Sequence, residues 1–234
     1  MTTPNAAVLL GEQRRYLLVR PTGFAGYLAA VLIALTVATG MATAWSAWND
    51  YYVFEQFEQG SATVGPDEVV AAEDLRVALT LTNYGLYLLA GIAFITWLYQ
   101  VRRNAEIFCD APHRRSQRWV GWSWVVPIVN FWYPFQVVSD IWKASDPATP
   151  RRLDSLRTVP GSPQLGLWWG FWMASYAVST LGGLVLVAPT VTPLDELRAV
   201  ALVITAAEML TAVAGVLIIL CVHRIIRWQA QARA

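Results

Sequence analysis

Four stretches of this chain, residues 24–48, 77–99, 165–187 and 197–222, are apolar almost without interruption, and each is 23 residues or longer. At 1.5 Å per residue, any of them as a helix exceeds the ~30 Å hydrocarbon core of a bilayer. A water-soluble domain has no use for so many fully apolar helices. The composition agrees: 56% of residues are hydrophobic and 14% charged, against roughly 45–50% and 25% in soluble domains. The expected fold is therefore an all-α integral membrane protein, a single membrane domain over residues 1–234 with four transmembrane helices. The net charge of +1 and the lack of aromatic-interleaved basic patches exclude a nucleic-acid surface.

Charge orients the spans. Lys and Arg of short loops gather on the cytoplasmic side, and 15 of the 17 basic residues fall on one side if residues 1–22, 100–164 and 223–234 are cytoplasmic. Only Arg76 and Arg198 then lie outside, in the acidic loop 49–76 and at the start of the last span beside the short loop 188–196. Both termini are thereby expected inside. Asn49 and Asp50 are read as the end of the first span, and the basic side as the cytoplasmic face of the membrane.

Residues 119–142, WVGWSWVVPIVNFWYPFQVVSDIW, are the hard case. The clean apolar part, 119–133, would reach only about 22 Å as a helix, and Pro127 and Asn130 interrupt it. A crossing there would invert everything downstream and erase the charge bias. The segment is instead expected to be re-entrant or interfacial, which at membrane depth requires protein or water over its non-helical backbone. From Pro134, a natural first-turn residue, Phe135, Val138, Ile141 and Trp142 mark one face and Gln136, Asp140 and Lys143 the other. That pattern predicts an amphipathic helix on the inner leaflet.

Glu208 is the one acid within a span, about 16 Å inward from Leu197, where an ionised carboxylate costs several kcal/mol. Its neighbours at helical spacing, Ala201, Thr205, Thr211, Ala212 and Gly215, form a small and polar stripe suited to another helix. Tyr87 and Ser179 lie at similar depth. Glu208 is thus either a protonated helix-packing group or a candidate intramembrane proton- or cation-handling carboxylate. Gly166, Gly170 and Ala174 repeat a small residue every four positions, a pattern that permits close helix packing. Cys109, His113, Cys221 and His223 fall near one level, but Cys221 and His223 are two residues apart and point to nearly opposite helix faces. No metal and no cofactor are expected. No HExxH, GxSxG, phosphate loop or pair of carboxylates within one span occurs, so an enzyme is not expected.

The strings FITWLYQVRRNAEIF (94–108), RRSQRWVGWSWVVPIVNFWYPFQVVSDIWKASDP (114–147) and GLWWGFWMAS (166–175), with VRPTGFA (19–25) and VHRIIRWQ (222–229) at the ends, resemble the membrane family catalogued as domain of unknown function number 4328. The resemblance implies a multi-span bacterial membrane protein and carries no activity with it. The residues that it singles out, together with the basic loop, make a candidate inner-face binding surface: Arg103, Asn104, Arg114, Arg115, Arg118, Trp119, Trp124, Pro127, Asn130, Trp132, Pro134, Gln136, Trp142, Trp168 and Trp169. Ser116 and Ser145 recur with them. The expected function is a non-catalytic membrane module that binds lipid or a partner protein. The alternative is a small transporter or permeation component that uses Glu208. Expected partners are the bilayer with its anionic lipids and a membrane protein or second copy of the chain; nucleic acid is not among them.

Overall fold

A computed structural model describes residues 18–186 and 192–231; the N-terminal arginines 14 and 15 and residues 188–191 of the loop 188–196 lie outside the described residues. Among the described residues the regular elements are all helical: α1 (Gly23–Glu58), α2 (Pro66–Phe108), the single turn α3 (Trp119–Trp122), α4 (Tyr133–Ser145), α5 (Pro163–Leu186) and α6 (Pro193–Gln231). Short 3-10 turns stand at Val129–Phe131 and Leu156–Thr158. Three helices, α1, α2 and α6, are long and apolar enough to cross a membrane. α5, at 24 residues, has the length, about 36 Å, but its tryptophans and glycines dilute its hydropathy.

The helix of the first span does not end at Asn49 and Asp50, and residues 49–76 are mostly helical rather than a loop. α1 runs on to Glu58, because Asp50, 4% exposed, accepts a 2.7 Å hydrogen bond from Arg76 Nε and so has its charge matched. The rings of Trp48, Tyr51 and Tyr52 also pack together there, with centroids 5.1 to 6.0 Å apart. Gly60 then closes the helix at φ 72°, with its N–H on the Phe57 carbonyl and that of Ser61 on Gln56. Positive φ with those two bonds is a glycine C-terminal cap. α2 restarts at Pro66, a first-turn proline, and Glu68 reaches back 2.8 Å to accept from the Gly65 N–H.

The chain divides into two compact units. One comprises Met1–Ala30, Gly91–Gly166 and Leu220–Ala234, the other Val31–Ala90 and Leu167–Ile219. At the heart of the first lies a pair of fully buried amides. Asn104 Nδ2 donates to Gln229 Oε1 at 2.9 Å and to the Arg20 carbonyl at 2.9 Å, while its Oδ1 accepts from the Arg20 N–H at 3.0 Å. Gln229 Nε2 donates to the Val101 carbonyl at 3.1 Å and to Ser145 Oγ at 2.9 Å. Both amides use their N–H groups and oxygen, so their burial is compensated.

α4 starts where Pro134 indicates. Its apolar face does not lie open as a leaflet-bound helix would: from Val137 through Ser145 every residue is buried within the protein. The polar face is covered too. Lys143 Nζ donates to the Leu156 carbonyl at 3.1 Å, and burial pushes its ammonium pKa down, with Arg114 adding to the fall and Asp140 opposing it.

In the second unit the stripe on α6 faces α1. Trp48 Nε1 donates to Thr205 Oγ1 at 2.9 Å, and a Cβ on Gly215 would meet Val37 Cγ2 at 2.6 Å, so only glycine fits. The Gly166 and Gly170 pattern makes no such contact: nothing lies within 4 Å of a Cβ placed on either. α5 instead approaches α6 through Gly182, against Val203.

Replacing Asn104 by Ala strands the Arg20 N–H and carbonyl and Gln229 Oε1. At about 1–3 kcal/mol for each buried unpaired group, the variant should lose at least 2 to 3 kcal/mol by that same measure. Thermal unfolding in detergent should show a large drop in midpoint, while Arg103→Gln, at an exposed neighbour, should leave it unchanged.

Candidate functional site

The basic loop 109–118 and α4 are locked together. The backbone N–H of Arg114 donates to Asp140 Oδ2 and its Nε to Asp140 Oδ1, both at 2.8 Å, and its Nη2 donates to the Gln136 carbonyl at 3.2 Å. Asp140 is 1% exposed, so its charge is buried and matched by the Arg114 guanidinium on Oδ1 and the Arg114 backbone N–H on Oδ2. Next along the chain, Arg115 Nε donates to Gln136 Oε1 at 2.9 Å and Nη1 to the Tyr133 hydroxyl at 2.8 Å. Its guanidinium also stacks 3.7 Å from the Tyr133 ring centroid. Trp119 meets the same ring edge-on at 4.8 Å. Arg114 and Arg115 are therefore spent within the protein, whereas Arg103 and Arg118 are exposed.

Between the clamp's two halves, the broken segment turns through Pro127 and Ile128. Ile128 has φ 68° and ψ −59°, and the Val129 N–H donates to the Pro127 carbonyl at 2.8 Å. That is a γ-turn centred on a β-branched residue, a strained conformation. Trp122, Val125, Ile128 and Trp132 are 42 to 70% exposed around it. Behind them, Ser123 Oγ and Asn130 Oδ1 are buried without a protein partner. Trp124 faces inward, edge-on to Phe94 at 5.9 Å.

At the other end of α4, Trp142 and Trp228 pack edge to face with centroids 4.7 Å apart. They border a cavity of about 550 Å³ that Asp146, Thr149, Thr158 and Arg224 also line. Arg224, Trp228 and Asp146 were not among the residues that the sequence singled out. Their signal is there all the same: Trp142 with Asp146 and Arg224 with Trp228 are both i,i+4 pairs, each placing a ring and a charge on one helix face.

The structure thus gathers Arg114, Arg115, Trp119, Tyr133, Pro134 and Gln136 at one end of α4, and Trp142 at the other. Asn104 belongs to the amide pair rather than to a surface. Trp168 and Trp169 fall in the second unit, in a ladder with Trp172 whose centroids are 5.4 and 5.0 Å apart.

Glu208 also lies in the second unit. Its carboxylate rests against Gly40 of α1, where a Cβ would collide with Oε2, and the Asn83 amide comes to the same point. Asn83 Nδ2 donates to the Thr36 carbonyl at 2.9 Å and to Thr39 Oγ1 at 3.1 Å. The neighbours of Glu208 are thus Gly40 and Asn83. Tyr87, at similar depth, lies near enough to interact electrostatically with Glu208, and its hydroxyl accepts a 2.9 Å hydrogen bond from Trp172 Nε1.

The chain matches, over residues 60–227, the family described as Domain of unknown function (DUF4328). The chain belongs to this family. The matched span holds the whole loop–α4 clamp and the cavity with Arg224, leaving only Trp228 of the ring pair beyond it. No curated protein and no solved structure matches the chain.

Two consequences can be measured. Asp140→Ala leaves the partly buried Arg114 without its carboxylate, and losing hydrogen bonds to a charged group costs about 1.5–3 kcal/mol; Arg118→Gln, at an exposed position, should be silent in the same unfolding assay. Separately, burial, with Arg102 nearby, pushes the His113 pKa down to about 3. The unfolded chain takes up that proton near pH 6.5, so between those values it binds more protons than the folded state, and stability falls as pH falls. The loss from pH 7 to pH 5 should be about 2 kcal/mol. His113→Asn should flatten that part of the stability-versus-pH curve.

Proposed function

We propose that the chain is a non-catalytic module of the bacterial cytoplasmic membrane, crossing four times with both termini inside, and that it binds lipid or a membrane partner through its inner-face segment 119–142. The observation that carries this reading is the strained, apolar tip at Ile128. Large side chains at 42 to 70% exposure on a γ-turn are disfavoured in water and favoured in hydrocarbon or against an apolar partner. Other features support it. The sides of the long helices stay open, with Leu81 and Leu88 each 65% exposed and Val216 55%, as lipid-facing positions would be. The basic residues partition 15 to 2 across the four-crossing topology.

Exposed Arg103 and Arg118 remain to meet anionic headgroups. The transport reading draws less support. Glu208 sits in a packed contact with Gly40, and the Asn83 amide beside it is already bonded to Thr36 and Thr39, as suits helix packing.

Single-cysteine variants on a background lacking Cys109 and Cys221 test both parts. A spin label at residue 128 should be reached by oxygen and shielded from a water-soluble relaxant. A cysteine at 61 should react with an impermeant reagent from outside, and one at 155 should not. A water-exposed label at 128 overturns insertion of the tip; reactivity at 155 with protection at 61 overturns the topology.

A further inference from the structure

We propose that the cavity beside Trp142 and Trp228 is a binding site for the zwitterionic headgroup of an amino-phospholipid, phosphoethanolamine in chemical terms. This rests on the membrane reading above, but on a different surface from the Ile128 tip. Arg224 and Asp146 both line the cavity of about 550 Å³, a volume within the range of small-ligand sites. They make no ion pair with each other, and no carboxylate pairs with Arg224 among the described residues. The lining thus holds a positive and a negative group without an ion-pair partner among the described residues, and the ligand that answers both carries both charges.

The details favour a phosphate and a primary amine. Arg224 is held with its guanidinium carbon 5.7 Å from the Trp142 centroid and 5.4 Å from that of Trp228. A fork of N–H donors fixed on two rings is suited to phosphate oxygens. Asp146 Oδ1 accepts from the Ala148 N–H at 2.9 Å, leaving Oδ2 for a cation, with the Thr149 and Thr158 hydroxyls in the same lining. A primary ammonium brings three donors to such acceptors. A choline brings none, and a phosphoglycerol brings no cation to offset Asp146, so both should be rejected.

The register points to a lipid rather than a soluble compound. Arg224 stands two residues beyond the apolar run that ends at Val222, which sets it at headgroup level, where tryptophans such as Trp142 and Trp228 also concentrate.

The test is native mass spectrometry of the delipidated full-length protein with phosphatidylethanolamine, phosphatidylcholine or phosphatidylglycerol of identical acyl chains. The ethanolamine lipid should be retained roughly tenfold better than either other lipid, the effect of one charge-assisted contact. Arg224→Gln should lower its retention by a similar factor. Asp146→Asn, which keeps an oxygen for the Ala148 N–H, should reduce it to the level of the choline lipid. Arg224→Lys, which keeps charge without the fork, should retain part of the binding and serves if the Gln variant does not fold. Equal retention of the three lipids, or indifference to the substitutions in folded protein, overturns the site. Soluble phosphoethanolamine that displaces the lipid with equal affinity overturns the lipid source. If the label at residue 128 still reports hydrocarbon in either case, the membrane reading stands and only the headgroup site falls.

Discussion

An amide side chain taken out of water is tolerated only when each of its N–H groups and its oxygen finds a partner, and Asn104 and Gln229 meet that condition by bonding to each other. Their remaining bonds go to the backbone of Arg20 ahead of α1, to the Val101 carbonyl on α2 and to Ser145, the last residue of α4. Four parts of the first unit are therefore fixed by one small network. Because Ser145 and Gln229 are bonded, the ends of α4 and α6 are held side by side, and Trp142 and Trp228, three residues and one residue before them, meet as a consequence. The cavity beside those rings is thus a product of the amide pair, whose bonded residues stand three positions from Trp142 along α4 and one from Trp228 along α6.

The arginines serve two ends. In the proposed topology they are the charges in short loops that favour the cytoplasmic side. As donors, Arg114 and Arg115 compensate Asp140 and the Gln136 side chain, which lets α4 sink into the protein despite an acid and a lysine on its polar face. A helix whose two faces are both covered needs no leaflet to lie on. The arginines left exposed on the same side include Arg20, Arg103, Arg118, Arg152, Arg157, Arg224 and Arg227.

Hydropathy is a local property, so the long apolar helices, the broken character of 119–142 and the start of α4 at Pro134 were all legible in the sequence. What depends on distant partners was not. The continuation of α1 past Asp50 needs Arg76, 26 residues on. The burial of α4 needs arginines more than twenty residues earlier. Residue counting gives the depth of Glu208, and with it Tyr87, but not the direction in which the side chain points, which is why Gly40 and Asn83 did not suggest themselves. A glycine announces close approach only once the helix facing it is known. The stripe of α6 was correctly marked as an interface, and its partner, α1, was outside the reach of periodicity.

Ile128 ties backbone energy to surroundings. Its left-handed γ-turn costs about 1–3 kcal/mol, a cost that glycine would avoid. Full removal of an isoleucine side chain from water contributes about 1.5–3 kcal/mol, which is of the same size. At 68% exposure the protein itself captures little of that gain, so in water the isoleucine would be a net loss at this position. Set into hydrocarbon, with Trp122, Val125 and Trp132 around it, the same side chain offsets the strain. The balance between turn and side chain therefore closes only if something apolar and external covers the tip.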